Sequence, residues 1–531
     1  MANIDNLISR RNNAVNEVQR WRTLLDKVYT YAAPNMNSWK DSGSQGQPPQ
    51  SKGQNLTANL YDLTLEIGTR TFVNRLVNAI FPQNERWLRF TPGSAVEEEY
   101  YDEAARLVEK LTDKFFDAID NSNFYLAIPE ALEEMAISTG CLQINEGDDD
   151  EPLVFCSVPS NSIAYEVGID GSFRGYYRDF VGISVDEILS FWPDAVISDE
   201  MRRMDSDAKN KPGKKKLHVV EATTYDYKDK DWKTSIFELN LKELIYEVAE
   251  EEPAFAAFRW NRRAGEILGR GPAMDAMPAA ASINEAMRDE LIAAAFKANP
   301  MYMAYTDGVV NMDTFRIHPG AILPVLPTAA GGWPLQPVPN AGDVNFGILI
   351  VQDLRDQINK LLFTNPLGPV DSPRQTATEA AIRMRELVEN ASASFARIKR
   401  ELQDRMVKRI IYILRKRGEW PDVQLNGKSV AIKYETPLSA SRGQKEVEKL
   451  VLYYQTLAGM VGPQMAMAAT KLTKLPAYIA QNLETDLELV ATEREIIQEL
   501  QAIQQAAQQQ QEAAQAEEPG AVVPPQQELG A

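Results

Sequence analysis

The chain has 531 residues, enough for three or four units at roughly 150 residues each. Its 44% hydrophobic and 25% charged content is ordinary for a folded soluble protein. The net charge of -19 excludes a protein that grips nucleic acid over its whole surface, because phosphate binding needs clustered Lys and Arg; DNA sliding past on weak contacts is compatible with it.

Ile8, Val15, Val18, Leu25, Val28 and Tyr29 recur at helical spacing and predict one amphipathic helix over 3–32. Residues 1–13 lack the apolar core of a signal peptide, and no window approaches the roughly 18 apolar residues of a membrane span, so a cytosolic protein is expected. A Ser-, Gly- and Gln-rich stretch over 37–54 predicts a surface loop. Helices are predicted at 56–80 and 96–120, separated by Phe81-Pro82 and by the strand-like alternation Trp87-Leu88-Arg89-Phe90. From Cys141 to Ile183 the pattern is one of short strands, with Asp170-Gly171 as the turn of a hairpin over 162–180. Ser184 and Glu187 form a capping box for a short helix. A lysine-rich loop at 209–216 leads into strands at 217–227, 232–239 and 243–249.

The middle of the chain is the most informative part. A helix over 278–298 is stopped by Pro300. About forty residues follow, with seven prolines counting Pro300, and a second helix runs from 343 through Leu354, Ile358 and Leu362 to Asn365-Pro366. Each helix spans about 30 Å at a rise of about 1.5 Å per residue. After a Pro/Gly loop at 365–375, Thr376 and Glu379 cap an unusually long helix over 376–417. Its apolar stripe runs from Met384 through Phe395, Leu402 and Met406 to Leu414, and Gly418 and Pro421 end it. Beyond it come a strand at 428–435, helices at 441–459, 463–474 and 484–516, and a Gln/Ala-rich then Pro-rich end, of which the last dozen residues are expected to be disordered.

Catalytic chemistry is missing from the pattern. The only histidines, His218 and His318, lie far apart, and any Ser/His/Asp triad or histidine metal site would need one of them. No GxxxxGK[ST] phosphate loop occurs, and the glycines of 265–271 read as a loop. The acidic run 146–151 lacks the ligand spacing of a calcium loop and reads as an exposed turn. Cys141 and Cys156 read as two small buried hydrophobes, with a disulfide between them left open. The basic residues between Arg397 and Arg417 read either as attraction to DNA or to an acidic neighbour across a subunit boundary, or as a solvated face partnered by Glu401 and Asp404. No enzymatic activity, cofactor or metal is expected.

The order of elements resembles the portal, or head-to-tail connecting, proteins of short-tailed bacteriophages over residues 15–480. The resemblance is carried by Leu76-Val-Asn-Ala-Ile-Phe-Pro82 followed by Trp87-Leu-Arg-Phe90, by the helix with Glu130-Ala-Leu running to Gly140 before a strand, and by the series of helix, Pro-rich insert, helix, loop and long helix over 278–417. It implies a mainly α portal fold with an α+β wing, assembled as a dodecameric ring around a channel for double-stranded DNA. On that resemblance the wing comprises 1–277 and 376–435, the stem helices 278–299 and 343–364, the clip 300–342, the tunnel loop 365–375, and the crown 436–499, with 500–531 a helical or disordered tail and a possible barrel.

The same resemblance implies channel-lining roles for Pro366, Leu367, Gly368, Pro369 and Arg374, with Arg355 and Lys360 as further candidates, and a docking surface at Pro319, Pro324, Pro327, Trp333 and Pro334. The partners implied are DNA bound without sequence specificity, the terminase, the tail adaptor, and the major capsid and scaffolding proteins, with no membrane. Competing readings are a packaging nuclease or ATPase, which the missing phosphate loop and metal cluster oppose, and another ring-forming virion component such as a tail adaptor or internal core protein.

Overall fold

The computed structural model describes residues 4–40, 45–46, 56–83, 85–93, 101–210, 216–298, 302–304, 335–337, 344–364, 392–421, 430–434, 437–462, 475–482, 490–491 and 496–498. They form two compact units, the larger drawn from 1–78, 117–375 and 387–421, the smaller from 79–116, 376–386 and 422–531.

The single helix expected over 3–32 is in fact two, α1 (Ile4–Gln19) and α2 (Arg22–Ala32). The Trp21 N–H donates to Val18 O, three residues back, a tightening that ends α1 in a 3₁₀ turn. The buried face of α1 is Leu7, Arg11, Ala14 and Val18, so Ile8 and Val15 flank it rather than define it. Arg11 sits inside because its Nη2 and Nε donate to Asp179 Oδ1 at 2.6 and 3.1 Å, a partner that apolar periodicity does not register. Helix α3 (Thr64–Ile80) starts later than expected, since Asp62 Oδ1 accepts from the Thr64 N–H at 2.9 Å and marks the boundary.

The strand β1 (Leu88–Pro92) and helix α4 (Tyr101–Asp120) follow. Next comes α5 (Phe124–Ile137), buried on nearly every side by Phe124, Ile128, Leu132, Met135 and their neighbours. Its exposed side is narrow, at Leu126 and Glu130, which leaves only a weak amphipathic period to read.

Strands β2 (Thr139–Glu146) and β3 (Leu153–Ser157) pair antiparallel, and β4 (Ile163–Val167) and β5 (Phe173–Val181) form the expected hairpin. Gly171 has φ +76° in its turn, a conformation that glycine adopts without a Cβ clash. Helix α6 (Val185–Phe191) carries the complete Ser184/Glu187 capping box, and α7 (Asp199–Asn210) follows. Strands β6 (His218–Tyr225), β7 (Trp232–Glu238) and β8 (Glu243–Glu250) complete a five-stranded antiparallel sheet in the order β4-β5-β6-β7-β8. Strand β9 (Phe255–Arg259) joins β2 and β3 in a second sheet, in the order β3-β2-β9. Val185, Ile188 and Met201 pack with Leu217, Val219, Ile236 and Ile245. Each such burial is worth about 1.5–3 kcal/mol against about 1 kcal/mol for a cap, so the box sets where α6 begins and the packing holds it.

Helix α8 (Pro272–Ala298) begins six residues before the expected start at 278. Pro272 takes the first position, where its missing N–H costs nothing, and Pro278 is carried within the helix. Beyond it, β10 (Tyr302–Ala304) and β11 (Leu335–Pro337) pair antiparallel, Tyr302 opposite Pro337; the residues between them lie outside those described. Helix α9 (Val344–Leu361) returns alongside α8. The two run about 40 Å and about 27 Å at a rise of about 1.5 Å per residue.

The long helix expected over 376–417 is described from Ser392. It consists of α10 (Ser392–Ile398), a π-turn (Lys399–Gln403) and α11 (Asp404–Lys416). Thr376 and Glu379 lie outside the described residues.

In the smaller unit β1 pairs antiparallel with β12 (Val430–Tyr434), Leu88 opposite Tyr434 and Pro92 opposite Val430. Trp87 stands edge-on to Phe81, Phe115 and Phe116 at 4.9, 6.0 and 5.5 Å between ring centroids, which accounts physically for the Phe81 and Trp87 spacing. Helices α12 (Pro437–Val461) and α13 (Leu475–Asn482) follow. The helix expected at 463–474, and nearly all of that expected at 484–516, fall outside the described residues.

Candidate functional site

The paired helices α8 and α9 are anchored in the larger unit where α8 begins and α9 ends. Ala273, Met274, Ala276, Ala280 and Ile283 of α8 are buried. At its start the Gly271 N–H donates to Ile137 O at 3.2 Å, and a Cβ on Gly271 would stand 1.9 Å from Ala136 O. The Gly269 N–H is likewise held by Thr139 Oγ1 at 2.8 Å. The loop expected at 265–271 is thus a close backbone crossing, and the alternation Gly269-Arg270-Gly271-Pro272 was the signal for it.

Further along, the segment before α3 clasps both helices. Asn284 Oδ1 accepts from the Tyr61 N–H at 2.6 Å, and Asn284 Nδ2 donates to Asn59 O at 3.2 Å. Arg355 Nη2 and Nε donate to Asp62 Oδ2 at 2.7 and 3.1 Å. Burial pushes the Asp62 carboxyl up, but hydrogen bonds from Thr64 and Arg355 outweigh it and hold the group below the usual carboxylate range. Beyond this clasp, Leu291 and Ile292 of α8 are 52% and 48% exposed, and Ile350 of α9 is 45% exposed, although Val351, Ile358 and Leu362 are buried.

Of the residues given channel or docking roles, Arg355 spends its charge on Asp62, and Lys360 is exposed. Pro366, Leu367, Gly368, Pro369 and Arg374, and Pro319, Pro324, Pro327, Trp333 and Pro334, lie outside the described residues.

Most of the basic residues of α10 and α11 find partners on the chain's own strands and turns rather than forming a purely solvated face. Arg409 is buried and donates to Ile144 O and Glu252 O at 3.3 and 2.7 Å, with Glu250 Oε1 at 3.0 Å. Arg415 pairs with Glu251, Lys416 with Glu146 at 2.7 Å, and Arg417 with Asp149 at 3.1 Å. The acidic run after β2 is therefore the counter-charge for the end of α11. Arg397 donates to Trp260 O at 3.2 Å and Arg405 to Tyr176 Oη at 2.9 Å. Glu401 pairs not with a helix neighbour but with Arg259 of β9, at 2.6 Å.

Cys141 is buried and Cys156 half-buried, and both thiols are free; burial pushes the Cys141 thiol up. His218 stands at the start of β6 with Nε2 3.0 Å from Asp179 Oδ1, and His318 lies outside the described residues. Burial raises the Glu134 and Glu221 carboxyls to about 7 each. Glu134 is bonded by Tyr29 and Glu221 by Gln143 Nε2 at 3.1 Å, so both belong to closed polar networks in the core. Among the described residues no three His, Cys, Asp or Glu side chains group as metal ligands, and no helix is long and apolar enough to cross a membrane.

Residues 5–490 match the family described as bacteriophage head to tail connecting protein. No curated protein matches the sequence. Solved structures similar to it include a chain from the neck of an empty GTA particle, at 13% identity and a TM-score of 0.36 over 79% of this chain and 92% of that one. A chain from the virion of a native gene transfer agent particle has the same identity and TM-score, over 79% of this chain and 91% of that one.

Proposed function

The chain belongs to the bacteriophage head to tail connecting protein family, a connector in virion assembly, and from that premise we propose that it forms the portal ring through which double-stranded DNA is packaged and later ejected. In this reading the protein is structural and does no catalysis. It assembles as a dodecamer in the host cytoplasm, as in short-tailed phages, and occupies one capsid vertex among the capsid and scaffolding proteins. It docks first the terminase and then the tail adaptor.

The observation that carries the reading is the antiparallel pair α8 and α9, with Leu291, Ile292 and Ile350 open to solvent beyond the clasp. Apolar side chains in that setting gain by burial against another copy. A head-to-tail contact that repeats by a fixed rotation closes into a ring. The segment 300–342 between the helices, drawn together at its base by β10 and β11, is then the clip, and 365–375 the tunnel loop. With Arg355 held by Asp62, Lys360 and Arg374 are the cations left to meet DNA, by charge and without reading sequence.

Electron microscopy of the purified protein tests this. Rings with an axial hole wide enough for a duplex are expected, and solid particles or monomers at all concentrations would sink the reading. Deleting residues 367–372 should leave the rings intact and lower the DNA retained in heads; loss of rings instead would remove the tunnel-loop assignment.

A further inference from the structure

A cleft of about 770 Å³ opens in the larger unit between the β4–β5 turn, Tyr225 and Trp232 on one side and the helix from α10 to α11 on the other. That is within the roughly 300–1,000 Å³ of small-ligand pockets. Five arginines and one lysine line it, against four carboxylates.

The carboxylates are largely committed. Glu401 is turned to Arg259, and Asp170 accepts from the Ser172 N–H and Oγ–H at 3.1 and 2.8 Å. Burial raises the Glu252 carboxyl, although the nearby charges of Lys408, Arg405 and Arg409 pull it down. Several cations, by contrast, are held without a full set of acceptors. Arg174 lies 4.8 Å over the Tyr225 ring and reaches Asp170 Oδ2 through Nη2 at 3.4 Å, and its buried Nε has no acceptor. Arg262 reaches Asp170 O only at 3.5 Å, and its buried Nε has no acceptor either. Arg400 and Lys408 are exposed at the rim. Arg397 is shifted down by burial and, although Glu401 pulls the other way, by the nearby charges of Arg259 and Arg262.

The wall that carries Arg400 is the π-turn, where the Asp404 N–H donates to Lys399 O, five residues back. Such single π-turns inside α-helices are frequent at functional sites. Here the added residue lets Glu401 reach β9 while Arg400 stays on the cleft.

We propose that this cleft is an anion site for a compact phosphate-bearing ligand, such as an oligophosphate. Guanidinium groups match phosphate oxygens in paired hydrogen bonds. Several cations converging on one small volume call for several negative charges on one small ligand, which a chain of phosphates supplies and a single carboxylate does not. The site is independent of the ring reading, since all of its residues belong to one subunit.

The test is calorimetric titration of the whole purified protein with inorganic tripolyphosphate at low ionic strength. Saturable binding is expected, with affinity falling about tenfold or more when Arg400→Glu and Lys408→Glu are combined. Both are rim residues, and an unchanged melting temperature will show that the fold persists. Arg203→Glu, at an exposed arginine of α7, should leave the affinity unchanged. The proposal is overturned by an absence of saturable binding, by an equal loss in Arg203→Glu, or by tighter binding of polyglutamate or a short DNA duplex than of tripolyphosphate.

Discussion

Arg259 and Glu401, 142 residues apart, are joined by three hydrogen bonds: the Arg259 backbone N–H and Nε donate to Glu401 Oε2 at 3.0 and 3.2 Å, and Nη2 donates to Oε1 at 2.6 Å. The guanidinium is buried over the Phe173 ring at 4.2 Å. This contact pins the π-turn to the end of β9. Glu401→Gln would keep the shape and remove the charge, leaving a buried guanidinium short of its counter-ion. Breaking such pairs costs roughly 3–5 kcal/mol, so the denaturation midpoint of the purified variant should fall clearly below wild type; an unchanged midpoint would show that the pair contributes little.

Gly271 joins the end of α5 to the start of α8. Alanine there would place its Cβ 1.9 Å from Ala136 O and 2.6 Å from Met135 O, and backbone atoms cannot swing aside as a side chain would. Overpacking of this kind costs about 1–3 kcal/mol. Gly271→Ala should therefore melt earlier, whereas Gly418→Ala, strained by its φ of +77° but with nothing within 4 Å of the added Cβ, should lose only about 1 kcal/mol.

Stability should also depend on pH through Glu134. Burial raises this carboxyl from 4.5 to about 7 in the folded chain, so the folded state binds its proton more tightly than the unfolded state. The contribution is complete below the ordinary glutamate range and is lost as pH rises through about 7. Glu134→Gln should flatten that part of the profile. Melting temperatures of both proteins between about pH 5 and about pH 8 check it: the wild type should lose more on going up than the variant does.

The open end of α8 separates folding from assembly. Leu291→Lys and Ile292→Lys change exposed positions, so each should shift subunit stability by no more than about 0.5 kcal/mol. If these side chains are covered by a neighbouring copy, the same variants should fail to form rings in sedimentation or micrographs. Rings that persist would place the closing contact elsewhere.

Local chemistry carried much of the fold into the sequence. The Asp170-Gly171 hairpin, the Ser184/Glu187 box and the three strands that follow are determined by neighbours a few residues apart, and turn geometry and capping act over that range. Helices around 278–298 and 343–364 were legible too, because proline and apolar periodicity act along the chain.

Tertiary structure decided what depends on distant partners. Arg11 is buried only because Asp179 receives it, and the buried face of α1 keeps Val18 but leaves Ile8 and Val15, which periodicity also selected, at its flanks. The basic end of α11 finds its counter-charges at Glu146 and Asp149, some 270 residues earlier, and the one-residue shift of the π-turn is fixed by Arg259 rather than by any local propensity. A charge in the sequence shows that a partner is needed; only the packed chain determines which one, since the cost of burying it is met by groups brought close in space.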